Sequence, residues 1–176
     1  MMKKVLIVFA LFMSSAASFA VELVEFEALN GKVVLQVPKK FAPMSTEMLN
    51  LKFPSSRRPT EALSDETGSV SVVFNHTGSA MRPSDLKAVY EEVSKSFHNI
   101  YPSATWIRDE IIEQNGHGFM VLELVTPAID TKIHNIIYGT SVSGRFLIVS
   151  FNTTVELSDP WVSIGNKIMA SLRVVD

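Results

Sequence analysis

Between positions 105 and 152 the chain forms four extended runs, rich in β-branched and aromatic residues, joined by short turn segments. Residues 105–113 and 118–125 flank Gln114-Asn115-Gly116-His117, and residues 132–140 and 145–152 flank Ser141-Val142-Ser143-Gly144. Asn-Gly and Ser-Gly pairs supply the positive φ angles that tight hairpins need. Strands joined by hairpins pair antiparallel. This run therefore commits the chain to an antiparallel sheet and excludes the strict βαβ alternation of a doubly wound nucleotide-binding fold.

The sheet must be covered. Residues 83–100 place Leu86, Val89, Tyr90, Val93, Phe97 and Ile100 at spacings of three and four, one apolar stripe of an amphipathic helix. Ser84 is the expected N-cap. A second long helix is expected after Asp159-Pro160, with Asp159 as N-cap, Pro160 in the first turn, and Trp161, Ile164, Ile168, Met169 and Leu172 on its buried face. Upstream, two extended runs surround Asn30-Gly31. A short helix over residues 47–53 takes Ser45 or Thr46 as N-cap and is stopped by Pro54. Residues 54–68 read as a polar loop with a short strand near Ala62 and Leu63, and residues 69–75 as a strand. The fold class is α+β: a mainly antiparallel sheet with two long amphipathic helices and one short one, sandwiched by helices or covered on one face.

The first twenty residues read as an address. Lys3 and Lys4 precede an unbroken apolar run over residues 5–13, and Ser18-Phe19-Ala20 sets small residues at −3 and −1. This order is that of a secretory signal, and its short basic start is of the bacterial kind. Residues 1–20 are expected to be removed, leaving residues 21–176 as one exported domain, periplasmic in a bacterium or fully secreted. No later stretch is apolar for long enough to span a bilayer as a helix. There is no cysteine, so no disulfide, thiolate nucleophile or Cys-type zinc site is available. The formal charge of −2 has the wrong sign for a general nucleic-acid binder.

Local catalytic signatures are missing. The histidines are His76, His98, His117 and His134, and no two have the spacing that would set both on one turn of helix. His76 and His134 belong to different strands, where a meeting in space is open. There is no Gly-x-Ser-x-Gly, no phosphate-binding glycine loop and no EF-hand pattern around Asp65-Glu66. Asp109 and Glu110 adjoin on a strand and so point to opposite faces. No cofactor and no metal site is expected, and the protein is not expected to be an enzyme. The distinctive cluster is basic: Lys52, Arg57 and Arg58 lie close together in an acidic chain, with Arg82 as a possible neighbour. Arginine there suits a carboxylate-rich partner, or else pairs with Asp65 or Glu66 to hold its own loop. Met44 and Met48, near Phe41 and Phe53, complete the candidate binding surface as an apolar lip or pack under the short helix.

The stretch Glu47-Met48-Leu49-Asn50-Leu51-Lys52-Phe53-Pro54, then Arg57-Arg58-Pro59, then Ser64-Asp65-Glu66-Thr67-Gly68-Ser69-Val70-Ser71-Val72, resembles small bacterial proteins of the PsbP-like fold. The element order extends that resemblance over most of residues 30–173. The fold is shared by a photosynthetic oxygen-evolution subunit, a Ran-binding nuclear import factor and cytoplasmic adaptor chaperones for type VI secretion effectors. The resemblance implies an α/β/α sandwich and a non-catalytic module that binds a protein. With a signal peptide, the expected forms are an immunity protein facing a toxin or an adaptor for an envelope protein. The alternatives are a small-ligand or metal-binding periplasmic module and, after it, a hydrolase.

Overall fold

The computed structural model describes residues 21–53 and 58–175. The expected signal segment, Pro54 and Arg57 lie outside the described residues. In chain order the elements are β1 (Leu23–Ala28), β2 (Val33–Pro38), β3 (Ala42–Pro43), α1 (Thr46–Lys52), β4 (Glu61–Ser64), β5 (Val70–Ala80) and α2 (Leu86–Ile100). There follow β6 (Thr105–Gln114), β7 (His117–Pro127), β8 (Lys132–Val142), β9 (Arg145–Thr154), α3 (Ser158–Ala170) and β10 (Arg173–Val174). Short 3-10 turns at Pro83–Asp85 and Val155–Leu157 lead into α2 and α3.

Seven strands form one antiparallel sheet in the order β3-β4-β5-β9-β8-β7-β6, and β1-β2-β10 form a second. Alternation along β7 shows how the layers stack. Phe119 and Val121 belong to the core shared with α3 and the small sheet, whereas Met120, Leu122 and Leu124 pack beneath α2. A strand buried on both faces must be apolar at nearly every position, which is why residues 119–124 form an almost unbroken apolar run. α1 packs Met48, Leu49 and Phe53 on Met44, Ala62 and Val73. Val73 is in register with Ser150, Ser150 with Ile137, and Ile137 with Leu122, so α1 lies on the same face as α2. The protein is an α/β/α sandwich with α3 and the small sheet on one side and α1 and α2 on the other.

The two sides are packed differently. α3 buries Ile164, Gly165, Ile168 and Met169, and Gly165 lets the helix backbone close on Phe151, whose ring atoms lie 2.4 Å from where a β-carbon would be. α2 carries a clean apolar stripe yet none of its side chains is fully buried.

Several boundaries differ from expectation. The turns at Asn115-Gly116 and Ser143-Gly144 are two residues long, with all four residues at positive φ, so β6 to β9 run further than their apolar cores. β5 continues to Ala80 because it stays paired with β9 through an irregularity between His76 and Ala80. β3 and β10 are two-residue strands held by partners distant in sequence. Ser45 does cap α1, accepting from the Met48 amide at 3.1 Å. The stop of α2 toward its N-terminus is not built on Ser84. Asp85 reaches back to the Arg82 amide at 2.9 Å and grips the Arg82 guanidinium at 3.0 and 2.9 Å, an acid three residues on. Asp159 breaks the helical path with φ −99° and ψ 114°, and the regular helix continues beyond it.

Two outcomes are expected. Gly165→Ala gains about 1 kcal/mol in helix propensity but forces a methyl into Phe151, an overpacking that costs roughly 1–3 kcal/mol, so urea denaturation should show net destabilisation. The Arg82 side chain and amide hold the Asp85 carboxyl down to about 2. A carboxyl held low stabilises at higher pH and loses that contribution as pH falls through its folded value. The entry to α2 should therefore stay intact through roughly pH 4, where free carboxyls titrate, and loosen toward pH 2. An NMR titration of Asp85 checks this, and an ordinary midpoint would show that the clasp does not hold in solution.

Candidate functional site

α1 and α2 do not meet across the face they share. Between them the large sheet is uncovered over parts of β5, β9, β8 and β7, leaving a cleft of about 230 Å³. Phe53 and Pro59 form the α1 wall, Phe97 and Tyr101 the α2 wall, their rings 5.9 Å apart and tilted at 52°. Val73, Ile137, Ile148 and Leu124 give the floor its apolar part.

The rest of the floor is neutral and polar. Asn135 and Asn152 face each other across β8 and β9, with Ser150 two positions along and Asn75 beyond. The Asn135 amide nitrogen donates to the Ile133 carbonyl at 2.9 Å, the Thr126 hydroxyl at 3.1 Å and the Leu124 carbonyl at 3.2 Å. Asn152 donates to Ser150 at 3.2 Å. On the opposite face of the same strands Val72, Phe151 and Ile136 are completely buried. The polar floor is thus a property of this face, not of strands that tolerate polarity generally. Among the described residues lining the cleft there is no carboxylate, histidine, lysine or arginine. Its chemistry is apolar contact and neutral hydrogen bonding. Exposed aliphatics stand next in sequence to its walls: Leu51 is 85% exposed two residues before Phe53, and Ile100 is 61% exposed beside Tyr101.

The sequence-derived candidates fall unevenly around this cleft. Phe53 and Pro59 line the cleft and Arg58 adjoins Pro59, while Arg57 lies outside the described residues. Arg58 is exposed and donates to the Asn50 side chain on α1, not to Asp65 or Glu66. Asp65 instead accepts from Thr67 at 2.7 Å and from the Val70 amide at 3.0 Å, closing its own turn. Lys52 reaches over that turn at Gly68. Arg82 is not a neighbour of this group. It follows the far end of β5, an 11-residue strand, which places it on the order of 30 Å from Gly68. Met44 is buried at 7% exposure and Met48 packs on Ser64, so the two anchor α1 and do not form an open lip, because β4 and β5 lie directly beneath them.

The histidines are dispersed. His76 binds the Val142 carbonyl and Arg145, both at 3.0 Å, while His134 binds the buried Glu123 carboxylate at 2.8 Å. They pair with Leu147 and Thr153 of β9, roughly 20 Å apart, and so do not meet. A wider recess of about 820 Å³ lies by Val21, Lys39, Lys40, Phe41 and Trp161, on the other side of the sheet's β4–β5 turn from α1. Its Phe41 and Trp161 rings stack at 5.9 Å, and Lys39 is paired with Glu22 at 3.0 Å.

Comparison of the whole fold with solved structures decides the architecture. Cyanobacterial PsbP of Synechocystis sp. PCC 6803 superposes with a TM-score of 0.60, covering 93% of this chain and 99% of that one at 15% identity. The chain has the PsbP-like fold. The Ran-binding protein Mog1p of Saccharomyces cerevisiae matches with a TM-score of 0.54 over 89% of this chain and 97% of its own, at 11% identity. LpqN of Mycobacterium tuberculosis, described as involved in cell envelope biogenesis, matches with 0.52 over 89% and 92%, also at 11% identity. No sequence-family model and no curated protein sequence matches. At these identities the PsbP-like fold is what the likeness shows. No helix among the described residues is long and apolar enough to cross a membrane.

If the polar floor is not there for the fold, removing it should do no harm to stability. Ser150→Val supplies a better strand former and should raise stability by about 0.5–1 kcal/mol despite losing the Asn152 contact. A lowered melting temperature would make the hydroxyl a structural requirement instead.

Proposed function

We propose that this protein is a non-catalytic, exported protein-interaction module that docks its partner in the α1–α2 cleft. The observation that carries the reading is the composition of the cleft: aromatic walls, an amide and hydroxyl floor, and no ionised side chain among its described lining residues. Acid–base or nucleophilic chemistry needs groups whose protonation is poised at the reacting atom, and this lining offers apolar burial and neutral hydrogen bonds. At about 230 Å³ the cleft is smaller than the roughly 300–1,000 Å³ of small-molecule sites, a size that suits one or two side chains of a protein partner. Lys52 and Arg58 stand on the α1 side for an acidic flank. Mog1p, of the same fold, is a Ran-binding protein, which supports a protein as the occupant. With the secretory signal expected at residues 1–20, the partner of this reading is a protein of the cell envelope or one outside it. An immunity protein occluding a toxin and an adaptor holding an envelope protein are the two concrete forms.

One observation favours a second reading. The recess at Phe41 and Trp161, about 820 Å³, falls within the small-ligand range, and its stacked rings, rimmed by Lys39 and Lys40 and by Glu22, Asp65 and Glu66, suit a ring-bearing molecule with polar substituents.

The deciding experiment is an affinity capture from native envelope and secreted fractions using the form that begins at Val21. Two variants run beside it: Arg57→Ala/Arg58→Ala, and Ser150→Trp to fill the cleft. One stoichiometric partner, lost with Ser150→Trp and weakened about tenfold or more by the arginine variant, is the expected result, as for loss of an interface anchor. A partner indifferent to Ser150→Trp overturns the cleft. No partner, together with a small molecule retained by the wild type and lost on Trp161→Ala, turns the assignment to the second reading.

A further inference from the structure

We propose that Asp109 is the positioning residue of the docking cleft: it fastens the half-exposed helix α2 to the sheet and thereby sets where the Phe97–Tyr101 wall stands. The proposal concerns the free protein and rests on the reading above only for the consequence it has on docking.

α2 is an unusual wall. It has fifteen residues and a full apolar stripe, yet no fully buried side chain, while α3 on the opposite face has four buried residues. Its apolar grip on the sheet is correspondingly looser. Its polar attachments converge on one residue of β6. Asp109 Oδ2 accepts from the Ser94 hydroxyl at 2.7 Å and meets the His98 ring nitrogen Nε2 at 2.9 Å. The Asp109 backbone carbonyl accepts from the Tyr90 hydroxyl at 3.1 Å. Tyr90, Ser94 and His98 are spaced by four, so three successive turns of α2 are tied to a single point.

The strand is shaped to allow this. Its register against β7 shifts between Trp106 and Arg108, a bulge that brings the Trp106 ring onto His98 at 3.8 Å and 20°. Asp109 Oδ1 is buried without a hydrogen-bond partner. An unpaired buried carboxylate oxygen is expensive, and the strand carries it at the point where the other oxygen serves two helix side chains. Phe97 immediately precedes His98, and Tyr101 stands one turn beyond, so any displacement of His98 from Asp109 moves both cleft aromatics. A carboxylate that only filled space would not gather two side chains of one helix on a single oxygen, with a third from the same helix on its own backbone carbonyl.

The test uses hydrogen exchange of the free full domain, residue by residue. In Asp109→Ala the amides of α2 from Ser94 to Tyr101 should exchange about tenfold faster, the size expected for losing charge-assisted hydrogen bonds, while those of α3 are unchanged. Asp109→Asn, which keeps one acceptor oxygen, should recover part of the protection. His98→Ala, at an exposed position, should loosen the same stretch, and combining it with Asp109→Ala should fall short of additivity because the two share the His98–Asp109 contact. A fluorine label on Tyr101 should report a shifted ring environment in each variant. Equal acceleration in α2 and α3 would reduce Asp109 to a general stability residue. Unchanged exchange in α2, or full additivity with His98→Ala, would overturn the proposal outright. Neither result depends on a partner, so this test and the affinity capture fail separately.

Discussion

The close approach of α3 to β9 governs the rest of the molecule. Gly165 has no side chain, so the helix axis sinks onto Phe151, and Ile164, Ile168 and Met169 are sealed against β8, β9 and the small sheet. Because that face is dense, β7, β8 and β9 are rigidly placed, and their other face becomes a fixed platform. Interiors packed to crystal-like density transmit position well. The floor of the cleft inherits its geometry from the packing behind it, not from anything in the cleft.

The two sides of the sheet therefore do different work. The α3 side supplies stability: its contributors from β7, β8, β9 and β2 are nearly all fully buried. The α1–α2 side is divided into small separate clusters, one under α1 and two under α2, with the neutral polar stripe of Ser150, Asn152 and Asn135 between them. A sheet face broken up in this way buries less apolar surface than it could. On the docking reading proposed above, that loss is the cost of keeping a surface open for another protein. The edge strand β6 fits the same division. Its bulge and its cover by Tyr90, Ser94 and His98 blunt an otherwise long open edge, while the opposite edge ends in the two-residue β3 with Pro43. Both devices leave the sheet's face, and not its edge, as the place for contact.

Much of the fold was legible because its signals are local. Asn30-Gly31, Asn115-Gly116 and Ser143-Gly144 mark hairpins by the backbone angles they permit, and the stripes of residues 86–100 and 161–172 mark helices by spacing. The two-residue strands β3 and β10 were not legible, since each exists only through a partner far along the chain. The cap of α2 was misplaced because Ser84 has the right residue type, whereas the decisive contact is the reach of its neighbour Asp85 back to Arg82. A signal for the cleft did exist. Along one face of β9 the side chains pass from Phe146 and Ile148 to Ser150 and Asn152, while the other face stays apolar through Phe151. That change part-way along a face marks where the helical cover stops.

From its residues alone the chain determined an antiparallel α+β sandwich and a core without disulfides, each set by neighbours in sequence through turn angles, helical spacing or composition. The tertiary structure decided which basic residues share a surface, sending Arg82 to the far end of β5, and turned Met44 and Met48 inward beneath α1. It also assembled the cleft from Phe53, Asn75, Phe97, Asn135 and Ser150, residues on five elements or their ends. The reason is physical: a cleft is defined by what two helices fail to cover, and that gap depends on where long-range packing seats each helix, a quantity no local pattern encodes.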